Sequence, residues 1–253
     1  MKRILVTLLA IGLVAGFCGT VRADDAADPK AIVDKAIKAL GGEEALGKVK
    51  VAYWKSKTTI SFNGNDNEGA SETTIQGLDH FRQEFTGEFG GNKFKGVTIV
   101  AGDTGKRKFG DNAADLNKEA LAGQKRSIYL TMIPVTMLPL KDKDYKLEPI
   151  AEEKVEDKPA VGLKVTAPDK KDFKIYFDKE SGLPVRVVAR VSGFQPGMEF
   201  TQETTFSDYK DVAGIKKAMK TVSKRDGEKF MSQTITEFKL LDKVEPKVFT
   251  EVE

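Results

Sequence analysis

The stretch VAYWKSKTTISFNGNDNEGASETTIQ, residues 51–76, decides the fold class. Val51, Tyr53, Lys55, Lys57 and Thr59 alternate with Ala52, Trp54, Ser56, Thr58 and Ile60, the period of two of a β-strand with two different faces. Asn63-Gly64 is the strongest short hairpin signal, because both residues tolerate positive φ. A return strand follows near Ser71–Gln76. The pattern then repeats outward at intervals of about ten residues. It predicts strands at His80–Glu88, Phe94–Ala101, Lys106–Phe109, Val161–Thr166, Phe173–Phe177, Val185–Val191, Glu199–Phe206, Lys216–Lys224 and Lys229–Leu240. Turns rich in Gly, Asn and Asp join them, which predicts an antiparallel meander.

Two segments depart from this period. Residues 24–48 read as helix. Asp28-Pro29 supplies an N-cap and a proline at the first helical position. Ile32, Val33, Ala36, Ile37 and Leu40 form the apolar stripe, and Gly41-Gly42 stops it. Glu43–Gly47 adds about one more turn. Residues 113–138 also read as helical: Ala113, Ala114, Leu116, Ala120, Leu121 and Ala122 favour helix, and Pro134 and Pro139 divide the apolar run that follows. The segments 141–144 and 152–158 read as charged connectors. The expected fold is α+β: a single curved antiparallel sheet, an incomplete β-barrel, with helices covering its concave side.

The N-terminus reads as a leader. Lys2 and Arg3 precede an apolar run from Ile4 to Phe17, and Val21-Arg22-Ala23 is a small-residue cleavage site, so residues 1–23 are expected to be a signal peptide cut after Ala23. The run is too short for a membrane span, and no later segment is long and apolar enough. The expected mature unit is 24–253, one domain, periplasmic or secreted. Loss of Lys2, Arg3 and Arg22 brings 41 basic residues to 38, equal to the 38 acidic ones. A neutral, mixed surface does not suit nucleic acid or an anionic membrane surface. Charged strand stretches such as Lys216-Lys217 and Lys224-Arg225 read as solubility and edge protection. Cys18, the single cysteine, lies in the leader; lipidation wants a small residue before it and Phe17 is large, so it reads as an apolar filler of the leader, with lipidation the alternative. The mature chain is therefore expected to stand on its core, without disulfides.

Catalytic signatures are sparse. His80 is the single histidine; it has Asp79 beside it but no serine elbow, and reads as a surface strand start. Asn63–Gly69 resembles a calcium loop, but Glu68 stands where Gly is required and Thr74 where Glu is required. Gly102-Asp103-Thr104-Gly105 lacks the Lys-Ser/Thr of a phosphate loop and reads as a turn. No metal, cofactor or enzymatic activity is expected.

Several segments together carry a family resemblance. These are the leader, the helix ending in Ala39-Leu40-Gly41-Gly42, the long antiparallel run with its mid-chain helix, Tyr176–Arg186 (YFDKESGLPVR), Phe206–Ile215 (FSDYKDVAGI), and Val248-Phe249-Thr250. In this order they resemble the LolA/LolB-like superfamily of outer-membrane lipoprotein carriers, with secreted planctomycete-type members nearest in character. The resemblance implies a half-barrel whose chamber shields an acyl chain. About fourteen methylenes then represent roughly 11 kcal/mol of shielding at about 0.8 kcal/mol each. The implied function is a periplasmic carrier, monomeric, whose partner is an apolar small molecule or a lipoprotein acyl chain. The alternative is an interaction or sensor module that uses the same scaffold to meet an envelope protein. Trp54, Phe85, Phe94, Ile99, Phe109, Ile133, Met137 and Phe177 are the candidate cavity wall and lid residues. A slip of one residue in strand phase sends any of the strand residues to the opposite face.

Overall fold

The computed structural model describes residues 28–62, 64–89, 91–193 and 197–252. The leader, its cleavage site and Cys18 lie outside the described residues, as does Asn63 of the first hairpin turn. Helix α1 (Pro29–Leu40) starts where the sequence places it: the Asp28 carboxylate accepts from the backbone N–H of Lys30, and Pro29 opens the helix. Its stripe of Ile32, Val33, Ala36, Ile37 and Leu40 is buried. The stop has a second cause. A Cβ on Gly41 would lie 2.3 Å from the carbonyl oxygen of Gly214, at a φ of +131°, so only glycine lets the helix end touch that turn. Helix α2 (Glu43–Gly47) follows.

The strands are β1 (Val51–Phe62), β2 (Asn65–Gln76), β3 (His80–Phe89), β4 (Asn92–Ala101), β5 (Thr104–Phe109) and β6 (Asn112–Asp115). After helix α3 (Lys118–Thr136) come β7 (Lys146–Val155), β8 (Lys158–Thr166), β9 (Asp172–Asp178), β10 (Pro184–Ser192), β11 (Glu199–Val212), β12 (Ile215–Arg225) and β13 (Glu228–Leu241). They form one antiparallel sheet in the order β6-β5-β4-β3-β2-β1-β13-β12-β11-β10-β9-β8-β7. Two meanders grow apart and are joined by the pairing of β1 with β13, where Trp54 faces Phe238. The expected single, unclosed antiparallel sheet with accompanying helices is the one observed.

The topology also explains the curl. The chain leaves the sheet at one edge, β6, and re-enters at the other, β7. Twelve strand spacings separate these edges, about 58 Å if the sheet were flat. A 19-residue helix spans only about 28 Å. Helix α3 nevertheless touches both arms. Leu121 lies where a side chain on Gly105 of β5 would be, and Gly123 lies beside Ser192 of β10. Lys125 donates to Asp103 in the β4–β5 turn at 2.6 Å, while the next residue, Arg126, donates to the Asp172 carbonyl at the start of β9. The sheet therefore bends round α3, which sits in the seam between the arms.

Three sequence expectations are corrected. Ala113 and Ala114 belong to edge strand β6, all of it exposed, and the helix begins later, where Asn117 caps Ala120. Pro134 does not divide the helix but lies inside it. Residues 152–158 are not a connector: they close the β7–β8 hairpin around Glu156 and Asp157, both at positive φ. Strand β7 escapes the period-two reading because it is an edge, and Pro149 and its glutamates protect it from further pairing.

Candidate functional site

The face of the sheet beneath α1 and α3 has three zones along the strands. Nearest the helices is the core. Ala52, Trp54, Ile75, Phe81, Val100 and Phe238 join Phe173, Ile175 and Phe177 of the other arm against the helices. Ile133, Met137 and Phe177 are at most 1 % exposed, so the protein's own side chains fill this space. Between Thr131, Pro134 and Val135 of α3 and Phe206, Tyr209 and Lys217 of the sheet, the gap is about 10 Å³, room for one water molecule. The apolar chamber implied by the family resemblance is thus closed and filled in this conformation.

The second zone is polar. Directly along β1 from Trp54, the Ser56 and Ser71 hydroxyls bond at 2.8 Å, and Gln233 donates to Ser56 at 2.9 Å. Gln83 donates to Thr73, Arg107 to Thr98, and Thr204 pairs with Ser223. Burial holds the Arg107 guanidinium below its usual range. Each cross-strand pair satisfies groups that would otherwise be costly to bury.

The third zone lies beyond the helices. Phe85 and Phe94 stack with ring centres 5.3 Å apart. Their rings lie over Gly69 and Gly87, and Phe109 lies over Gly96. The glycines present bare backbone, so three rings rest flat on the sheet as a shelf. Phe85 and Phe94 are half-buried and Phe109 is 53 % exposed. Across the sheet, the Arg225 guanidinium stands 3.6 Å from the ring centre of Phe230 and 5.2 Å from that of Phe200.

The candidates therefore divide. Trp54, Ile133, Met137 and Phe177 belong to the filled core, and Phe85, Phe94 and Phe109 to the shelf. Ile99 points to the opposite face, where it borders a shallow cleft of about 190 Å³ with Phe249 and Thr250. The cause is strand phase: Ile99 pairs with Arg82, whose guanidinium donates to the carbonyls of Val248 and Glu251 in the C-terminal turn. On that face the His80 and Phe249 rings meet in a T-shape with centres 5.3 Å apart, and His80 bonds Asp79 at 2.8 Å. Among the described residues no group of three His, Cys, Asp or Glu side chains could hold a metal ion.

Two buried cationic side chains were missed by sequence reasoning. Arg126 of α3 is 3 % exposed. It lies over Phe173, donates to the Lys171 and Asp172 carbonyls, and stands 3.6 Å from Asp169. It fastens the helix to one arm. Lys217 is the second, and it corrects the edge-protection reading: β12 lies inside the sheet between β11 and β13. Lys216 turns out to Asp211 at 3.1 Å, whereas Lys217 is 8 % exposed. Its Nζ stands 5.9 Å from the Trp54 ring centre and 5.8 Å from that of Phe238. Burial pushes its pKa down to about 8. The signal was available, since Lys217 alternates with Ile215 and Met219, both buried.

Comparison with known proteins agrees on the fold. No protein-family model matches the sequence, and no curated protein matches it. Solved structures do. The chain is similar to a LolA superfamily protein from Nitrosomonas europaea with a TM-score of 0.56 at 9% identity, over 88% of this chain and 97% of that one. It is similar to a DUF1329 family protein from Desulfovibrio piger, with a TM-score of 0.54 at 14% identity over 88% and 97%. It also matches a domain assigned to outer membrane lipoprotein sorting in Vibrio parahaemolyticus, with a TM-score of 0.52 at 9% identity over 86% and 97%. The fold is LolA-like. Among the described residues no helix is long and apolar enough to cross a membrane.

Proposed function

We propose that this protein is an exported, periplasmic binder or carrier of apolar chains, acting as a single unit without catalysis of its own. The guest lies on the uncovered inner face, on the shelf of Phe85, Phe94 and Phe109, with α3 as the element that moves to admit it more deeply. The observation that carries this reading is the placement of three rings flat over glycines, on the inner face but outside the helix cover. A core would bury them. Phe109 is 53 % exposed, and an apolar chain laid along the shelf gains about 0.8 kcal/mol per buried methylene. The LolA-like fold supports the same reading, and the packing of Ile133, Met137 and Phe177 under the helices directs it to the open end.

Delipidated protein titrated with a fluorescent fatty acid tests it. Saturable binding near one equivalent, lost in Phe94→Glu and Phe109→Glu with the fold retained, is the expected result. No saturable binding by the wild type would sink the proposal.

A second reading is favoured by the filled core: a packed scaffold that meets an envelope protein through its exposed apolar side chains, Phe109, Met198 and Val222. Absence of fatty-acid binding together with a partner whose capture requires Phe109 would select it.

A further inference from the structure

Lys217 and Trp54 lack the same thing. The Lys217 ammonium has three N–H bonds and donates to the Ala218 carbonyl at 3.2 Å. No carboxylate among the described residues forms an ion pair with it, and ring faces of Trp54 and Phe238 surround it. The Trp54 Nε1–H is buried and has no acceptor among the described residues. A ring face attracts a cation but does not take up its hydrogen bonds, and an indole can only donate. Two donors, each more than nine-tenths buried, share one neighbourhood in which no described residue supplies an anion.

We propose that Lys217 and Trp54 form the headgroup site for an amphiphile carrying a single carboxylate. The inference rests on the proposed apolar-chain reading and names its ligand class: a free fatty acid type, not a fully acylated lipid without an acid group. A carboxylate has two oxygens and can accept from two donors at once; the Lys217 ammonium that would supply one of them stands over the indole, 5.9 Å from its ring centre. The oxygens take one Lys217 hydrogen bond and the Trp54 hydrogen bond, and the ion pair supplies the missing counter-charge.

Entry requires α3 to yield, because the gap beside Lys217 holds about 10 Å³. The lining residues show where it can. Pro134 contributes no N–H to the helix ladder, so the Leu130 carbonyl loses its partner one turn before Met137 ends the helix at a φ of +57°. The end of α3 over Lys217 is thus held by fewer backbone bonds than the body of the helix, while Arg126 anchors its middle.

The test compares cis-parinaric acid with its methyl ester on delipidated full-length mature protein. Trp54 is the single tryptophan, so its emission reports from the site itself. The expected result is acid binding roughly tenfold or more tighter than ester, a factor typical of one charge-assisted hydrogen bond, with a change in Trp54 emission. Lys217→Met should abolish the preference by weakening the acid alone, and Lys217→Arg should restore most of it. Trp54→Phe keeps a ring and removes the N–H, so it should lower the preference severalfold; the probe's own fluorescence reads that variant. Lys217→Met removes a buried charge and is expected to fold, which thermal melting checks. Equal affinities for acid and ester in the wild type, or a preference retained in Lys217→Met, would overturn the headgroup site and leave the shelf standing. Failure of both probes to bind the wild type would remove the shelf and this site together.

Discussion

One face of one sheet is put to two uses. Under α1 and α3 the face is apolar and filled, with Ile75, Ile133, Met137 and Phe177 almost fully buried. Beyond the helices the same strands carry hydroxyls and amides, then rings that rest on glycines, two of them half-buried and Phe109 exposed. The backbone is continuous between the two regions. The difference lies in what covers them. A covered face gains stability from every methylene, whereas on the proposed reading the uncovered one presents its rings to a guest. Stability and binding should therefore respond to mutation in opposite halves.

Breaking the covered half gives the largest effect. Ile133→Ala leaves a cavity in a packed core and should cost about 2–5 kcal/mol in urea unfolding; a loss below ~1 kcal/mol would show that α3 is loosely docked. Next is Lys217→Met, which should stabilise. Lys217 titrates near 10.5 when unfolded and about 8 when folded. Below pH 8 both states hold the proton, and burying the charge costs the full difference, about 3 kcal/mol at 1.36 per unit. Between pH 8 and 10.5 the unfolded chain binds a proton that the folded one has released, so stability rises with pH through this window. Above it the cost is gone. Melts of wild type minus Lys217→Met across pH 7–10.5 check the sign: the two should converge as pH rises.

Arg126→Met sharpens the comparison at the seam. It removes the donors to the Lys171 and Asp172 carbonyls and leaves Asp169 unpartnered by it, and it should cost about 1–3 kcal/mol. Hydrogen exchange should quicken in α3 before it quickens in β1 or β13; uniform quickening would deny α3 a separate opening. The smallest effect on stability belongs to the open half. Phe109→Ser should change stability by less than ~1 kcal/mol, as exposed positions do, yet weaken fatty-acid binding. Equal losses of stability from Phe109→Ser and Ile133→Ala would erase the distinction between the halves.

Much of this was legible in the chain. The Asp28-Pro29 start, the stripe from Ile32 to Leu40 and the glycine stop are local signals, and they give α1 as observed. The alternation around Trp54 gives β1, and turn residues give the meander. Strand β7 was missed because an edge strand with Pro149 and exposed glutamates has no apolar alternation to read. Ala113 and Ala114 misled because alanine's helix preference is weak beside pairing with Arg107 and Lys108 of β5. Of the site, the shelf rings and Trp54 were named from sequence, but Ile99 was carried to the other face by strand phase, and Lys217 was read as an edge charge.

By itself the sequence determined where the chain turns and which period each segment follows, because capping, turn chemistry and alternation act between near neighbours. Tertiary structure alone decided that β1 meets β13, that α3 lies in the seam, and which part of the inner face is covered. Those outcomes depend on contacts between residues nearly two hundred positions apart, such as Trp54 with Phe238. Only when these contacts closed did Lys217 come to lie buried over the Trp54 ring.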